Sequence, residues 1–195
     1  MVTKAALQFA VELARKGQSL VLHYEVQNRD SRDAYLLNML YRPGPDWMMS
    51  PDLIYIEVQP DKQRLHLYKR IDGIPANRNV VCPVAPFLTP VRAGGGYEEE
   101  VHIPVPVEES REYSPIRAGA EPRSFLCKEV VFTLGYYWFC DGLKEEIVNI
   151  AGMPACIIKA PSHATLDYGE LKSNVIVMEV PVVVRRPTGT GENST

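Results

Sequence analysis

The sequence predicts an all-β protein, a two-sheet antiparallel β-sandwich with an immunoglobulin-like arrangement and about eight or nine strands. Three observations support this prediction. Apolar and polar residues alternate through residues 19–42, which is typical of half-buried strands. Residues 125–140 are apolar on both faces of an extended chain, as expected for a central strand. Glycine and proline recur at short intervals, and no sustained helical pattern separates them.

The N-terminal residues 3–17 are compatible with a strand or a helix. Thr3 is a suitable helix cap, the alanine and leucine content favours a helix, and Gly17 is a suitable helix end. We favour the strand because residues 14–18 then form a hairpin turn into residues 19–27. Its apolar residues alternate as a strand requires: Leu7, Phe9, Val11 and Leu13.

Two further hairpins are predicted in the first half of the chain. The first joins residues 19–27 to residues 35–41 through a charged turn, and the second joins residues 53–59 to residues 63–70 through Pro60, Asp61 and Lys62. The proline-rich residues 71–90 are expected to be irregular, with an extended piece only at residues 80–82.

The segment 97–107 is predicted to be an edge strand. Pro104 and Pro106 are two residues apart, so their missing N–H groups fall on the same side of an extended chain. That side of the strand cannot donate hydrogen bonds to a neighbour there. The same prolines would protect the edge against aggregation.

The second half of the chain contains the central strand at residues 125–140 and a final strand at residues 174–185. Residues 155–159 are expected to be extended, and residues 144–150 are compatible with a helical turn or a strand. We predict one domain over residues 1–186 and a disordered tail over residues 187–195.

Composition argues against two classes of protein. The net charge is −3 and no basic stripe is present, which argues against nucleic-acid binding. The longest apolar runs are much shorter than a membrane-spanning helix, so no membrane span is expected. The N-terminus shows no secretory signal, which favours a cytoplasmic location; an extracytoplasmic one stays open if the chain was trimmed.

The cysteines form no C-x-x-C pair and lie among apolar residues, which favours buried free thiols over disulfides. They are Cys82, Cys127, Cys140 and Cys156.

Most motifs with possible chemistry have a simpler structural interpretation. The glycines at 94–96 lack the pattern of a phosphate loop and indicate a turn. The four histidines are not spaced as metal ligands, so neither a metal nor any other cofactor is predicted. The acidic residues 98–112 are expected to form a solvated edge. A hydrolase that uses Cys156 or Ser162 with His163 and Asp167 is an alternative.

Aromatic residues give the remaining indication of function. Tyr55, Tyr68, Tyr137 and Trp47 are the candidate binding residues, because exposed aromatic side chains provide large contact areas for sugars or proteins. The leading hypothesis is a non-enzymatic module that binds a protein partner or another copy of itself through a sheet face or an exposed edge. A carbohydrate-binding module is the alternative within this class.

Overall fold

The computed structural model describes residues 6–42, 48–74, 79–80, 84–113, 121–150, 152–162 and 165–185, and this part of the chain is all-β. A short 3-10 helix, Pro60–Lys62, is its only helical segment. The strands are β1 (Leu7–Lys16), β2 (Ser19–Asn28), β3 (Ala34–Met39), β4 (Tyr41–Arg42), β5 (Met48–Met49), β6 (Tyr55–Gln59), β7 (Arg64–Lys69), β8 (Phe87–Val91), β9 (Gly96–Pro104), β10 (Val107–Glu108), β11 (Arg123–Trp138), β12 (Lys144–Ile150), β13 (Met153–Lys159), β14 (Tyr168–Lys172) and β15 (Ile176–Val184).

The first sheet is antiparallel and has the order β1-β2-β9. Its strand β1 occupies the segment that was compatible with a strand or a helix, so the strand prediction is confirmed. The hairpin turn is tighter than expected, because β1 continues to Lys16 and Gly17 has a positive φ of 62°. One face of β2 is buried through Leu20, Leu22, Tyr24 and Val26, as the alternation predicts.

The second sheet is built around β11, and the prediction of a central strand is confirmed. One side of β11 pairs with β14 and β15, and the other side pairs with β3 and β7. The β7 pairing is parallel, as is the pairing of β10 with β15. The prediction of purely antiparallel sheets is therefore wrong. Alternating side chains do not distinguish the two directions, because both place successive residues on opposite faces.

The pairings around the first half of β11 close into a ring. They run from β11 through β7 to β6, and Ile56 of β6 pairs with Ser110. The segment that leads to Ser110 is β10, which pairs with β15, and β15 returns to β11. This arrangement is not that of a simple two-sheet immunoglobulin-like sandwich. The number of strands in the described residues is also larger than the predicted eight or nine.

The first sheet packs over the second, and one hydrophobic cluster fills the space between them. Glu99 of β9 contacts Lys69 of β7, and the ring of Tyr24 on β2 lies 5.0 Å from that of Phe132 on β11. The other outer strand of the first sheet, β1, also reaches this cluster, and its Phe9 ring lies 5.9 Å from that of Phe132.

The predicted edge strand is confirmed as far as Pro104, because β9 is an outer strand of the first sheet. It does not continue to Val107 as expected. After Pro104 the chain crosses to the second sheet, where Val107 begins β10. Pro106 therefore belongs to the crossing between sheets rather than to the strand edge.

The remaining elements agree with the sequence in part. Of the two further predicted hairpins, that of β6 with β7 is formed, whereas residues 19–27 do not pair with residues 35–41, because β2 belongs to the first sheet and β3 to the second. Residues 144–150 form the strand β12. Residues 71–90 were expected to be irregular, yet β8 begins at Phe87. Within the residues that the structure describes, no helix has the length and apolarity needed to span a membrane. The predicted tail at residues 187–195 lies outside the described residues.

Candidate functional site

Strand β1 has an unpaired edge. Its hydrogen-bonding direction is fixed by Arg29, whose backbone N–H donates to the carbonyl oxygen of Ala6 at 2.8 Å. Even-numbered residues of β1 therefore point their backbone groups toward β2, and odd-numbered residues point theirs away, because the direction alternates along a strand. In the described part of the chain no strand pairs with this outer edge. The residues whose backbone N–H and C=O groups point away from β2 are Leu7, Phe9, Val11, Leu13 and Arg15.

Apolar side chains lie half-buried beside this edge. Phe9, Val11 and Leu13 pack against the hydrophobic cluster but stay partly accessible, because no strand continues the sheet beyond β1. From the second sheet, Leu171, Ile176, Met178 and Tyr136 are also half-buried against the same cluster. We call this set of seven residues the apolar seam.

A second open edge belongs to β15. Its outer neighbour β10 pairs only with Val182 and Val183, so residues 176–181, which pair with β11 on the other side, lack a partner strand on this outer side among the described residues. Val177 on this stretch is 84% exposed, and Val175 just before it is 47% exposed. The residues of the apolar seam thus belong to β1 on one sheet and to β11, β14 and β15 on the other.

The opposite edge of the first sheet is blocked along the end of β9. The backbone N–H of His102 on β9 points away from β2 and donates to Oδ1 of Asp52 at 2.8 Å. Pro104, two residues later, has no N–H to offer on the same side. These are the devices by which natural sheets prevent edge-to-edge pairing, and β1 has neither of them.

Another outer strand, β12, is exposed and is more densely charged, with Lys144, Glu145 and Glu146 adjacent within its seven residues. Glu145 is held by Arg92 and accepts a hydrogen bond from the Tyr35 hydroxyl at 2.6 Å, and Glu146 pairs with Lys159. The Arg92 guanidinium keeps the pKa of Glu145 below its usual value. Ile147, which follows Glu146, is 64% exposed. Charged residues on an edge discourage pairing with another strand.

Two of the predicted binding tyrosines are buried, so the expectation that they face outward is wrong. Tyr55 and Tyr68 are 6% and 1% exposed, and their rings lie 5.4 Å apart. The segments that carry Asp72 and Glu112 cross this face of the sheet, and the two tyrosine hydroxyls donate hydrogen bonds to these carboxylates. Burial raises the pKa of both tyrosines, and the neighbouring carboxylates raise it further.

Tyr137 is half-buried and packs edge-on against Tyr168, with ring centroids 5.6 Å apart and an interplanar angle of 63°. Parallel exposed rings would favour the carbohydrate-binding alternative, and this pair is edge-on instead. Trp47 lies outside the described residues.

The residues of the hydrolase alternative do not form a reactive set in the described structure. Cys156 is 2% exposed, and burial raises the pKa of its thiol, with a smaller contribution from the charge of Glu145. An activated cysteine needs the opposite shift. Asp167 is exposed and forms an ion pair with Arg32. Ser162 is exposed as well, and His163 lies outside the described residues.

No family model, curated protein or solved structure matches this chain. The two open edges and the apolar seam were not among the predicted site residues. The available signal was the absence of proline and glycine within β1, in contrast to the prolines near the end of β9. Which residues of the two sheets meet at the seam depends on long-range packing that local alternation does not reveal.

Proposed function

We propose that this protein is a non-enzymatic module that self-associates by pairing β1 with β1 of a second copy. The supporting observation is that β1 is a long edge strand whose outward backbone groups have no partner strand in the described structure. Such an edge is a template for another strand. A second copy supplies that strand without any further component, and the two copies would be related by a twofold axis.

The sequence of β1 is complementary to itself in one antiparallel register. With Val11 opposite Val11 of the second copy, Phe9 lies opposite Leu13, and all three residues have outward backbone groups. Directly opposed residues with outward groups exchange both of their hydrogen bonds. The apolar side chains of both copies then cover each other along the seam.

Charge favours this register over its neighbours. On the solvent face it places Glu12 opposite Ala10 of the second copy, so no like charges oppose each other. A shift in one direction would place Glu12 opposite Glu12, which is destabilising. A shift in the other direction would shorten the paired segment from residues 7–15 to residues 7–13.

A proline substitution at the edge tests the proposal. Val11→Pro removes an outward N–H and leaves the hydrogen bonds between β1 and β2 in place, because Val11 does not donate to β2. We expect wild-type protein to be dimeric in sedimentation equilibrium and Val11→Pro to be monomeric at the same concentrations. The matched control, His102→Pro, removes an outward N–H from the blocked edge of the same sheet and should stay dimeric.

The alternative edge is tested by Val177→Lys, which places a charge beside the open part of β15 and is expected to leave the dimer intact. A wild-type protein that stays monomeric at high micromolar concentration would overturn the proposal. A dimer that survives Val11→Pro but is lost in Val177→Lys would assign self-association to β15 instead and would equally overturn it.

A disulfide tests the register. Residues directly opposite in a hydrogen-bonded antiparallel pair have Cα atoms about 5.5 Å apart, within the range that a disulfide spans. Val11→Cys should therefore crosslink two copies under mild oxidation. Ala10→Cys is the matched control, since it crosslinks efficiently only in the shorter register. Crosslinking of Ala10→Cys in preference to Val11→Cys would contradict the register proposed here.

A further inference from the structure

A mixed cluster of imidazole and carboxylate groups lies on the solvent face of the first sheet. His23 and Glu25 are two residues apart on β2 and project to the same face, and Glu98 on β9 is directly opposite Glu25. One ligand atom from each residue lies within 4.8 Å of the other two. The Nε2 atom of His23 is 4.0 Å from Oε2 of Glu98.

We propose that His23, Glu25 and Glu98 bind a divalent transition-metal ion such as Zn²⁺. One imidazole and two carboxylates are a three-ligand set that such an ion accepts, and water completes a tetrahedral site. Metal–ligand bonds of about 2.0–2.2 Å bring the ligand atoms of a tetrahedral site to about 3.3–3.6 Å from one another. Small side-chain rotations of these accessible groups are sufficient to close the observed separations.

The backbone holds the three positions in place. Strand β2 is the middle strand of its sheet and is paired on both sides along its length. The Cβ atoms of directly opposite residues lie about 4.5–5.5 Å apart, so their spacing does not depend on a loop. Only the outer parts of the three side chains need to move.

The charges of the cluster favour a cation. Directly opposed like charges destabilise a sheet, and Glu25 and Glu98 are such a pair. In the described part of the chain neither carboxylate forms an ion pair with lysine or arginine. By contrast, Glu100 on the same face forms an ion pair with Lys16 at 3.8 Å, and the Nε2 atom of His102 lies 2.9 Å from its carboxylate. A bound cation would offset the repulsion between Glu25 and Glu98, because it attracts both carboxylates.

Titration of untagged, metal-free protein with Zn²⁺ in a calorimeter tests the site. We expect saturable binding of one ion per chain and a weakening of the affinity by about tenfold or more in His23→Gln and in Glu98→Gln. His102→Gln is the matched control, because His102 lies on the same face and strand pair but outside the three-ligand set. Its affinity for Zn²⁺ should equal that of the wild-type protein.

Two results would overturn the proposal. The first is the absence of saturable Zn²⁺ binding by the wild-type protein at millimolar metal. The second is equal weakening by His102→Gln and His23→Gln, which would indicate diffuse attraction to an acidic face. Circular dichroism of each variant establishes that the strands are retained. The site does not depend on β1 pairing, so Val11→Pro should bind Zn²⁺ as the wild-type protein does.

Discussion

The Nζ atom of Lys69 donates a hydrogen bond to Oε2 of Glu99 at 2.7 Å, and this ion pair joins the two sheets in the interior. The Lys69 side chain is fully buried, and the Glu99 side chain is 10% exposed. Glu99 also accepts a hydrogen bond from the Tyr24 hydroxyl, and Lys69 donates to the carbonyl oxygen of Pro51. Burial lowers the pKa of Lys69, and the charge of Glu99 opposes that shift.

Removal of one partner of this pair should be strongly destabilising. Lys69→Met leaves the Glu99 carboxylate buried without its counter-charge, and we expect a loss of about 3–5 kcal/mol in the free energy of unfolding, measured by urea denaturation. The double variant Lys69→Met/Glu99→Gln removes the uncompensated charge and should recover part of this loss. The accessible pair Lys16–Glu100 is the control, and Lys16→Met should change the stability by less than about 0.5 kcal/mol. Equal effects at the two sites would contradict this account.

Gly169 should not tolerate a side chain. It lies opposite Tyr136 in the pairing of β14 with β11, and a Cβ atom there would be 2.4 Å from the tyrosine ring. We expect Gly169→Ala to lower the free energy of unfolding by about 1–3 kcal/mol, because the ring must be displaced. A Cβ atom at Gly73 would meet nothing within 4 Å, so Gly73→Ala is the control with little expected effect. If thermal denaturation shows the two variants to be equally stable, the close packing at Gly169 is wrong.

His66 should make the protein less stable in acid. Its Nε2 atom lies 2.9 Å from the Thr133 hydroxyl, and burial lowers the pKa of His66 below its usual 6.5, against the opposing effect of Glu57. Arg70 and Lys172 also act to lower it. The unfolded chain therefore takes up a proton more readily, and the stability present above pH 6.5 is lost as the pH falls through the lowered value.

Urea denaturation between about pH 7.5 and about pH 5 measures this effect. The contribution of His66 to the slope is at most about 1.4 kcal/mol per pH unit, and His66→Gln should remove it. A wild-type protein and a His66→Gln variant with identical pH dependence would contradict the prediction. An NMR titration of the imidazole gives the same pKa independently.

The sequence was sufficient to predict the strands that depend on local alternation. Residues 3–17 illustrate this point. Their composition favours a helix, but their apolar residues alternate from Leu7 and Phe9 onward, and Leu7–Lys16 forms a strand. Pro104 also indicated correctly that β9 is an outer strand, since a missing N–H is a property of the residue itself. These predictions required no knowledge of distant partners.

The predictions that failed depended on which segments meet. The burial of Tyr55 and Tyr68 results from segments near Asp72 and Glu112 that cross the outer face of their sheet. The parallel pairing of β7 with β11 joins segments far apart in the chain. The same limit applies to the proposed metal site, where Glu98 approaches His23 only through the pairing of β9 with β2.

The blocked edge of β9 has a consequence for the size of any assembly. Two copies joined through β1 would form a continuous six-stranded sheet with β9 at both ends. At each end, the backbone N–H of His102 already donates a hydrogen bond to the side chain of Asp52, and Pro104 has no N–H. Further copies would find only the acidic segment 96–100 of β9 open there, and its charges disfavour growth into a filament through this sheet.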